Sequence, residues 1–373
     1  MNDGTSGRVF YLVSPAGTPN FGDEIIAEVW LRHLAATAPE AEVVVDCAGV
    51  ERARRTLGGL HPRSRFTNTL WRLCHQFSGE ALQTVAAVED AIRNPAGWSA
   101  DGVRDLLRAD VVHMVGGGYV NAIWPSLVAL MAGVSTAAGL SGSRAAMTGQ
   151  GLYPLPPGLE QLVTDLAGSF ALADARDAPT ARLLGADRSH TTGDDAFLGG
   201  GASRDPSGEE APEVMVSLQS HLAGVPAERL VDFVGRTVDA WGVSTVGLLE
   251  CAPAFDAEVL ALAERRLGAP RIYRVDEALT SGLPTSPEQC WISSRFHPHL
   301  IAAAGGASGV ALTMESDYYA VKHGSLRDWG SRWTLLTDLD AVPERPRDGG
   351  FPAEDVERLR KGKQVLAAEV YGG

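Results

Sequence analysis

The stretch RVFYLVSPAGTPNFGDEIIAEVWLRHLAATAPEAEVVVDC, Arg8–Cys47, decides the fold. Its ends, RVFYLVS and AEVVVDC, are short apolar runs, and its middle, EIIAEVWLRHLAA, spaces its apolar residues as a helix does. A continuous apolar run suits a strand buried on both faces, and two such runs joined by a helix make a β-α-β unit with parallel strands. The rhythm continues in ADVVHMVGGG, AAMTGQG and GSFALADAR. It pauses at GGGASRDPSGEEAPE, Gly199–Glu213, which is rich in Gly, Pro, Ser and charge and lacks apolar periodicity. It restarts in VMVSLQS, AERLVDFVGRTVDAW, TVGLLE, DAEVLALAERRLG, RIYRV, CWISS and SGVALT. The expected class is α/β, with two Rossmann-like domains whose parallel sheets face a cleft. The expected boundaries are 1–200 for the first domain, 201–213 for a linker, 214–350 for the second domain and 351–373 for a closing helix packed on the domains.

Composition narrows the function classes. The 373 residues are enough for two cores, and 45% hydrophobic with 21% charged residues is the balance of a soluble folded chain. A net charge of -14 argues against a surface for nucleic acid, which requires clustered positive charge. The four cysteines, Cys47, Cys74, Cys251 and Cys290, show no C-x-x-C spacing, so neither a disulfide framework nor a zinc site is indicated and a cytoplasmic location is expected. No apolar run reaches the roughly 18 to 20 residues of a membrane span, so a membrane-linked substrate is met from the water side.

In open parallel sheets, ligands bind outside the carboxyl ends of the strands. Five loops there carry unusual residues. In GTPNFGDEII, Gly17–Ile26, Asp23 is a helix N-cap or a general base for a hydroxyl, Asn20 offers its amide to a ligand, and Gly22 permits close approach. In VVHMVGGGYVNAIWP, Gly117 and Gly118 either bare the backbone to a substrate or make a tight turn. The next strand ends on Gln150 rather than an acid, which disfavours NAD, and no P-loop motif is present. In ADARDAPTARLLG, Arg176 ends a strand and suits bidentate recognition of carboxylate or phosphate, while Asp177 caps the next helix. In TTGDDAFLG, Asp194 and Asp195 are turn residues or acids facing a sugar.

The fifth loop is CWISSRFHPHLIAAAGG, Cys290–Gly306. A residue before proline avoids the α region, so His297 is expected to be extended, with Pro298 opening the helix. Extended geometry puts Arg295 and His297 on one face and Phe296 on the other. Both then stand beside a helix N-terminus, itself favourable to anions, and the three together suit a small, highly charged anion. Downstream, ESDYYAVKHGSL adds Tyr318, Tyr319 and Lys322; Lys322 is either a surface residue or a further contact to that anion.

Two other segments are less specific. LHPRSRFTNTLWRLCHQF, Leu60–Phe77, reads as an amphipathic helix or as part of an acceptor pocket. The terminal AEDVERLRKGKQVLAAEV reads as a closing helix, with Val356, Leu359, Leu366 and Val370 loosely on one face.

Taken in order, NFGDE, VGGGYVN, TGQGLYP, ARDAPTARLLG, GDDAF, SSRFHPHLIAAAGG and YYAVK resemble the polysaccharide pyruvyl transferase family. That resemblance implies two domains of the GT-B type, phosphoenolpyruvate as donor and co-substrate, and a sugar as acceptor. It also implies that Arg176, Arg295 and His297 bind the donor, with His297 the favoured acid. Around this core, Lys322, Gly117 and Gly118 are expected on the donor side, Asn20, Asp23, Gln150 and Asp194 on the acceptor side, and Asp23 or Asp195 as the proton acceptor. The acceptor is a glycoside, a polymer or a lipid-linked glycan, a homo-oligomer is allowed, and no metal or other cofactor is expected. Two rival readings remain open: a GT-B glycosyltransferase using a nucleotide sugar, and a non-catalytic protein that retains the anion pocket.

Overall fold

A computed structural model describes residues 7–77, 79–185, 189–201, 211–222, 224–314 and 317–372. The first sheet is built from β1 (Val9–Val13), β2 (Glu42–Asp46), β3 (Ser64–Thr67), β4 (Val111–Met114), β5 (Arg144–Gln150), β6 (Leu172–Ala175) and β7 (Ser189–Thr191). Between them lie α1 (Phe21–Thr37), α2 (Val50–Leu57), α3 (Leu70–Gln76), α4 (Ala81–Arg93), α5 (Ala100–Leu107), α6 (Val128–Ser141), α7 (Glu160–Ala167) and α8 (Ala178–Leu184). The second sheet has β8 (Val214–Ser217), β9 (Val246–Leu249), β10 (Arg271–Tyr273), β11 (Cys290–Ser293), β12 (Ser308–Leu312) and β13 (Thr334–Leu336). Its helices are α9 (Ala227–Trp241), α10 (Pro253–Arg266), α11 (Val275–Ser281), α12 (Phe296–Ala304) and α13 (Asp317–Asp328), and α14 (Ala353–Tyr371) closes the chain.

Both sheets are doubly wound. The first runs β3-β2-β1-β4-β5-β6-β7 and the second β10-β9-β8-β11-β12-β13. All the strand pairs are parallel. The chain order reverses between β1 and β4 in one sheet and between β8 and β11 in the other, which opens a crevice at the strands' carboxyl ends. Burial on two faces explains the unbroken apolar runs: in β1, Tyr11 and Val13 enter one core cluster while Phe10 and Leu12 enter another on the opposite face.

By contact, the chain divides into a first unit, residues 1–18, 26–198 and 361–373, and a second, residues 19–25 and 199–360. The opening turn of α1 thus counts with the second unit and the end of α14 with the first. Of the segment read as a linker, 202–210 lies outside the described residues.

Local sequence accounts for the element ends. Asp177 Oδ1 accepts from Thr180 N at 2.9 Å and caps α8, as the sequence implied, while α9 stops at Gly242, whose φ of 64° is left-handed. The segment Leu60–Phe77 departs from the single helix considered for it: it contains β3 and then α3. With β7 and β13, β3 is a short strand at a sheet edge that carries too little apolar sequence to announce itself. Among the described residues no helix is long and apolar enough to cross a membrane.

Candidate functional site

In the second unit, residues after β9 and β11 meet the opening turn of α1. α12 begins at Phe296, two residues earlier than the sequence implied. Arg295 is its N-cap (φ -105°, ψ 140°), so His297 lies within the first turn and the expected shared extended face of Arg295 and His297 is not formed. Pro298 is tolerated as the third helical residue because N–H groups of the first turn have no partner inside a helix.

Arg295 is 8% exposed, and one terminal nitrogen of its guanidinium is ion-paired with Asp256 Oδ1. Asp256, fully buried, is itself held by the backbone N–H groups of Cys251 at 2.9 Å and Ala252 at 2.8 Å, both donating to Oδ2. The guanidinium is therefore fixed, but only partly satisfied: its Nε is buried without a hydrogen-bond partner. The Tyr319 hydroxyl is in the same condition, at 2% residue exposure, and the Arg295 charge is felt there. Burial raises the Tyr319 pKa, so the hydroxyl keeps its proton. Two buried, unsatisfied donors beside a helix N-terminus are costly alone and suited to an incoming anion.

The NFGD turn packs onto this place. Phe21 N donates to Cys251 O at 2.9 Å. Asn20 Oδ1 accepts from Gly22 N at 3.2 Å and Asn20 O from Glu24 N at 3.1 Å, so Asn20 occupies the cap position expected of Asp23. Asp23 sits half-buried one residue after Gly22, inside the helix. A side chain on Gly22 would overlap the imidazole of His297, so glycine is required there by close approach. His297 is half-buried, with its ring edge-on to Phe296 at 5.0 Å. The Cys251 thiol beside them is no nucleophile, since burial, opposed by Arg295, pushes its pKa to about 12.

Beneath the site, His299 and His323 are fully buried and joined Nδ1 to Nδ1 at 2.9 Å, and His299 stacks on Trp333 at 4.3 Å. Burial lowers both pKa values, that of His323 to about 4, so the pair is neutral and ties α12 to α13. Lys322, expected on the anion, donates instead to the Tyr318 hydroxyl and lies 3.9 Å from that ring's centroid.

The first unit holds the other expected residues, and several are corrected. Asp195, expected to face a sugar or accept its proton, is fully buried. Its Oδ2 accepts from Trp30 Nε1 at 2.7 Å, Gly116 N at 2.8 Å and Thr148 Oγ1 at 2.6 Å, and its Oδ1 from Lys363 Nζ at 2.7 Å. A fully buried carboxylate bound by four donors, one of them an ammonium, is an anchor of the fold rather than a base open to a sugar. Gln150, expected on the acceptor, is 1% exposed and its Nε2 donates to Val115 O at 2.8 Å, tying β5 to the end of β4. Gly117, at φ 151°, faces the Tyr119 ring, so its bare backbone serves packing rather than an open substrate surface; Gly118 beside it is half-buried.

Arg176 is 2% exposed, lies 3.3 Å from Asp194 and 4.0 Å from Asp177, and its guanidinium covers Gly151 so closely that any side chain there would overlap it. Asp194 also accepts from Ala196 N at 2.9 Å, so this acid, expected on the acceptor, serves Arg176 and its own turn. Sequence reasoning missed Asp256, the buried Tyr319 hydroxyl near Arg295, and Lys363. Asp256 looks like any acid in a helix's first turn, and Lys363 like one of a string of surface cations.

Comparisons with known proteins agree with this fold. No curated protein matches the sequence. S. aureus MnaA, solved with UDP, superposes with a TM-score of 0.56 at 15% identity, covering 98% of this chain and 89% of that one. The Neisseria meningitidis UDP-GlcNAc 2-epimerase bound to UDP-GlcNAc gives 0.56 at 10% identity, covering 98% and 100%. Acinetobacter baumannii MurG gives 0.51 at 13% identity, covering 98% and 99%. At such identities these likenesses establish the fold alone: two Rossmann-like domains of the GT-B type. A family model, described as polysaccharide pyruvyl transferase, matches residues 20–243, a span that takes in Asn20, Asp23 and Arg176 and ends before Arg295. Because that match covers more than half of the chain, the protein belongs to the polysaccharide pyruvyl transferase family.

Proposed function

We propose that the protein transfers the pyruvyl group of phosphoenolpyruvate to a pair of sugar hydroxyls, forming a cyclic ketal, in the cytoplasm. The observation that carries this reading is the pair of buried, unpartnered donors, Arg295 Nε and Tyr319 OH, beside the N-terminus of α12. A carboxylate or phosphate oxygen arriving there gains charge-assisted hydrogen bonds at groups already desolvated. Phosphoenolpyruvate brings both anions on one three-carbon frame, either of which the Arg295 cluster would hold.

The reaction needs a proton delivered to the methylene carbon as positive charge develops at the adjacent carbon. One sugar hydroxyl then bonds to that carbon and loses its proton, phosphate leaves with the electrons of its C–O bond, and the second hydroxyl closes the ketal and loses its own proton. His297, half-buried and braced by Gly22, is the proposed acid. With Asp195 fully buried, Asp23, one residue from that brace, is the remaining proposed acceptor of the hydroxyl proton.

Thermal shift with phosphoenolpyruvate, followed by mass spectrometry of glycosides incubated with it, tests the reading. Stabilisation and a pyruvyl mass increment are expected, and His297→Ala should lower turnover roughly 100- to 10,000-fold with the fold retained. The MnaA and Neisseria neighbours hold UDP and UDP-GlcNAc, which makes nucleotide-sugar transfer the second reading. Stabilisation by UDP-sugars alone would establish it in place of the first.

A further inference from the structure

Two rings stand at the rim of the Arg295 cluster and have no part in holding it. Phe255, in the first turn of α10, is 53% exposed, and its ring stacks on the exposed imidazole of His221 at 4.4 Å with 17° between the planes. Each ring is tied to the anion site by a near neighbour in the chain. Phe255 directly precedes Asp256, the acid that grips Arg295. His221 lies two residues after Gln219, whose backbone N donates to Ser294 Oγ at 2.8 Å, and Ser294 directly precedes Arg295. The Gln219 carboxamide nitrogen stands 3.2 and 3.4 Å from the two ring nitrogens of His221 and holds the imidazole against Phe255. The charges of Arg295 and Asp256 are both felt at that imidazole, which places the stack within electrostatic reach of the anion site.

The stack turns an aromatic face to water near a desolvated cation. Its chemistry is specific: a flat apolar face with polar atoms, the Gln219 carboxamide and the His221 ring nitrogens, along one edge. A pyranose ring has the matching form, with C–H bonds on one face and hydroxyls around its rim. The proposed reaction requires a sugar hydroxyl beside the carbon whose carboxylate or phosphate Arg295 holds.

We propose that the Phe255–His221 stack seats the sugar ring of the acceptor, an inference that rests on the pyruvyl-transfer reading above. Saturation-transfer NMR of the full chain with methyl β-galactopyranoside and methyl β-mannopyranoside, in the presence of phosphoenolpyruvate, reads the contact directly. Ring C–H signals are expected in the parent protein. They should weaken by at least about tenfold in Phe255→Ala and persist in Phe255→Trp, as loss and retention of a buried apolar face require. The thermal shift given by phosphoenolpyruvate should be the same in all three proteins. An intact shift with no signal from either glycoside, or with signal unchanged in Phe255→Ala, overturns the acceptor seat and leaves the donor reading standing. No shift in the parent overturns the donor reading and the seat with it. A thermal shift given by UDP that is lost in Phe255→Ala makes the stack a nucleobase platform and overturns the proposal.

Discussion

Each unit buries a cluster of charges, and the two differ in whether their hydrogen bonds close. In the first unit Lys363 donates to Asp174 at 2.8 Å and to Asp195 at 2.7 Å, and the remaining oxygens of both acids are filled by backbone N–H groups, hydroxyls and an indole. In the second, Arg295 meets one acid, and its Nε and the neighbouring Tyr319 hydroxyl have no partner. A buried polar group without a partner costs about 1–3 kcal/mol, so the closed cluster stabilises the fold while the open one leaves donors that a ligand would satisfy.

The largest test of this contrast is Lys363→Met. Removing the lysine strands two buried carboxylates, so unfolding free energy should fall by about 3–5 kcal/mol, read from the urea midpoint. A midpoint matching the parent would mean that the cluster has solvent access and is not closed.

Acid should act next. Burial holds His113 and His323 at about 4 and His299 well below its ordinary 6.5. Because these folded values are depressed, the stability they contribute is complete above pH 6.5 and is lost as pH falls through about 4. Asp46 has the opposite sign: burial raises it from 3.8 to about 6, so its contribution is complete below 3.8 and is lost as pH rises through about 6. Three imidazoles outweigh one carboxyl, and the melting temperature should drop by about 5–10 °C between about pH 7 and about pH 5. A flat or rising profile over that interval would contradict the neutral burial of these histidines.

Smaller effects separate site from scaffold. Gly22→Ala drives a methyl group into His297; it should cost about 1–3 kcal/mol and remove most of the stabilisation given by phosphoenolpyruvate. Tyr319→Phe should be the mildest, within about 0.5 kcal/mol of the parent or slightly more stable, since it deletes an unsatisfied buried hydroxyl. Its response to phosphoenolpyruvate should nonetheless shrink. A Tyr319→Phe variant that is markedly destabilised would show that the hydroxyl is already bonded within the fold.

The legible parts of this molecule were those written in short stretches of chain. The inner strands announced themselves because burial on both faces requires unbroken apolar runs, whereas the edge strands β3, β7 and β13 carry Ser64–Thr67, Ser189–Thr191 and Thr334–Leu336, which do not. Arg295 and His297 stood out beside a helix start, but the register of that helix was misjudged by two residues because Pro298 fits the third position as well as the first. Asp195 read as a turn residue or an acid facing a sugar because its partners Trp30 and Lys363 lie 165 and 168 residues away, and Asp256 was unmarked because 39 residues separate it from Arg295.

By itself, then, the sequence determined the alternation of strand and helix, the loops that reach the carboxyl edges of the sheets, and the family pattern those loops carry. Only the tertiary structure decided which charges in those loops are consumed. Periodicity and capping depend on residues a few positions apart and leave a local trace. The cost of burying a charge, and the partner that offsets it, depends on what lies within a few ångströms in space, wherever the chain has brought it from.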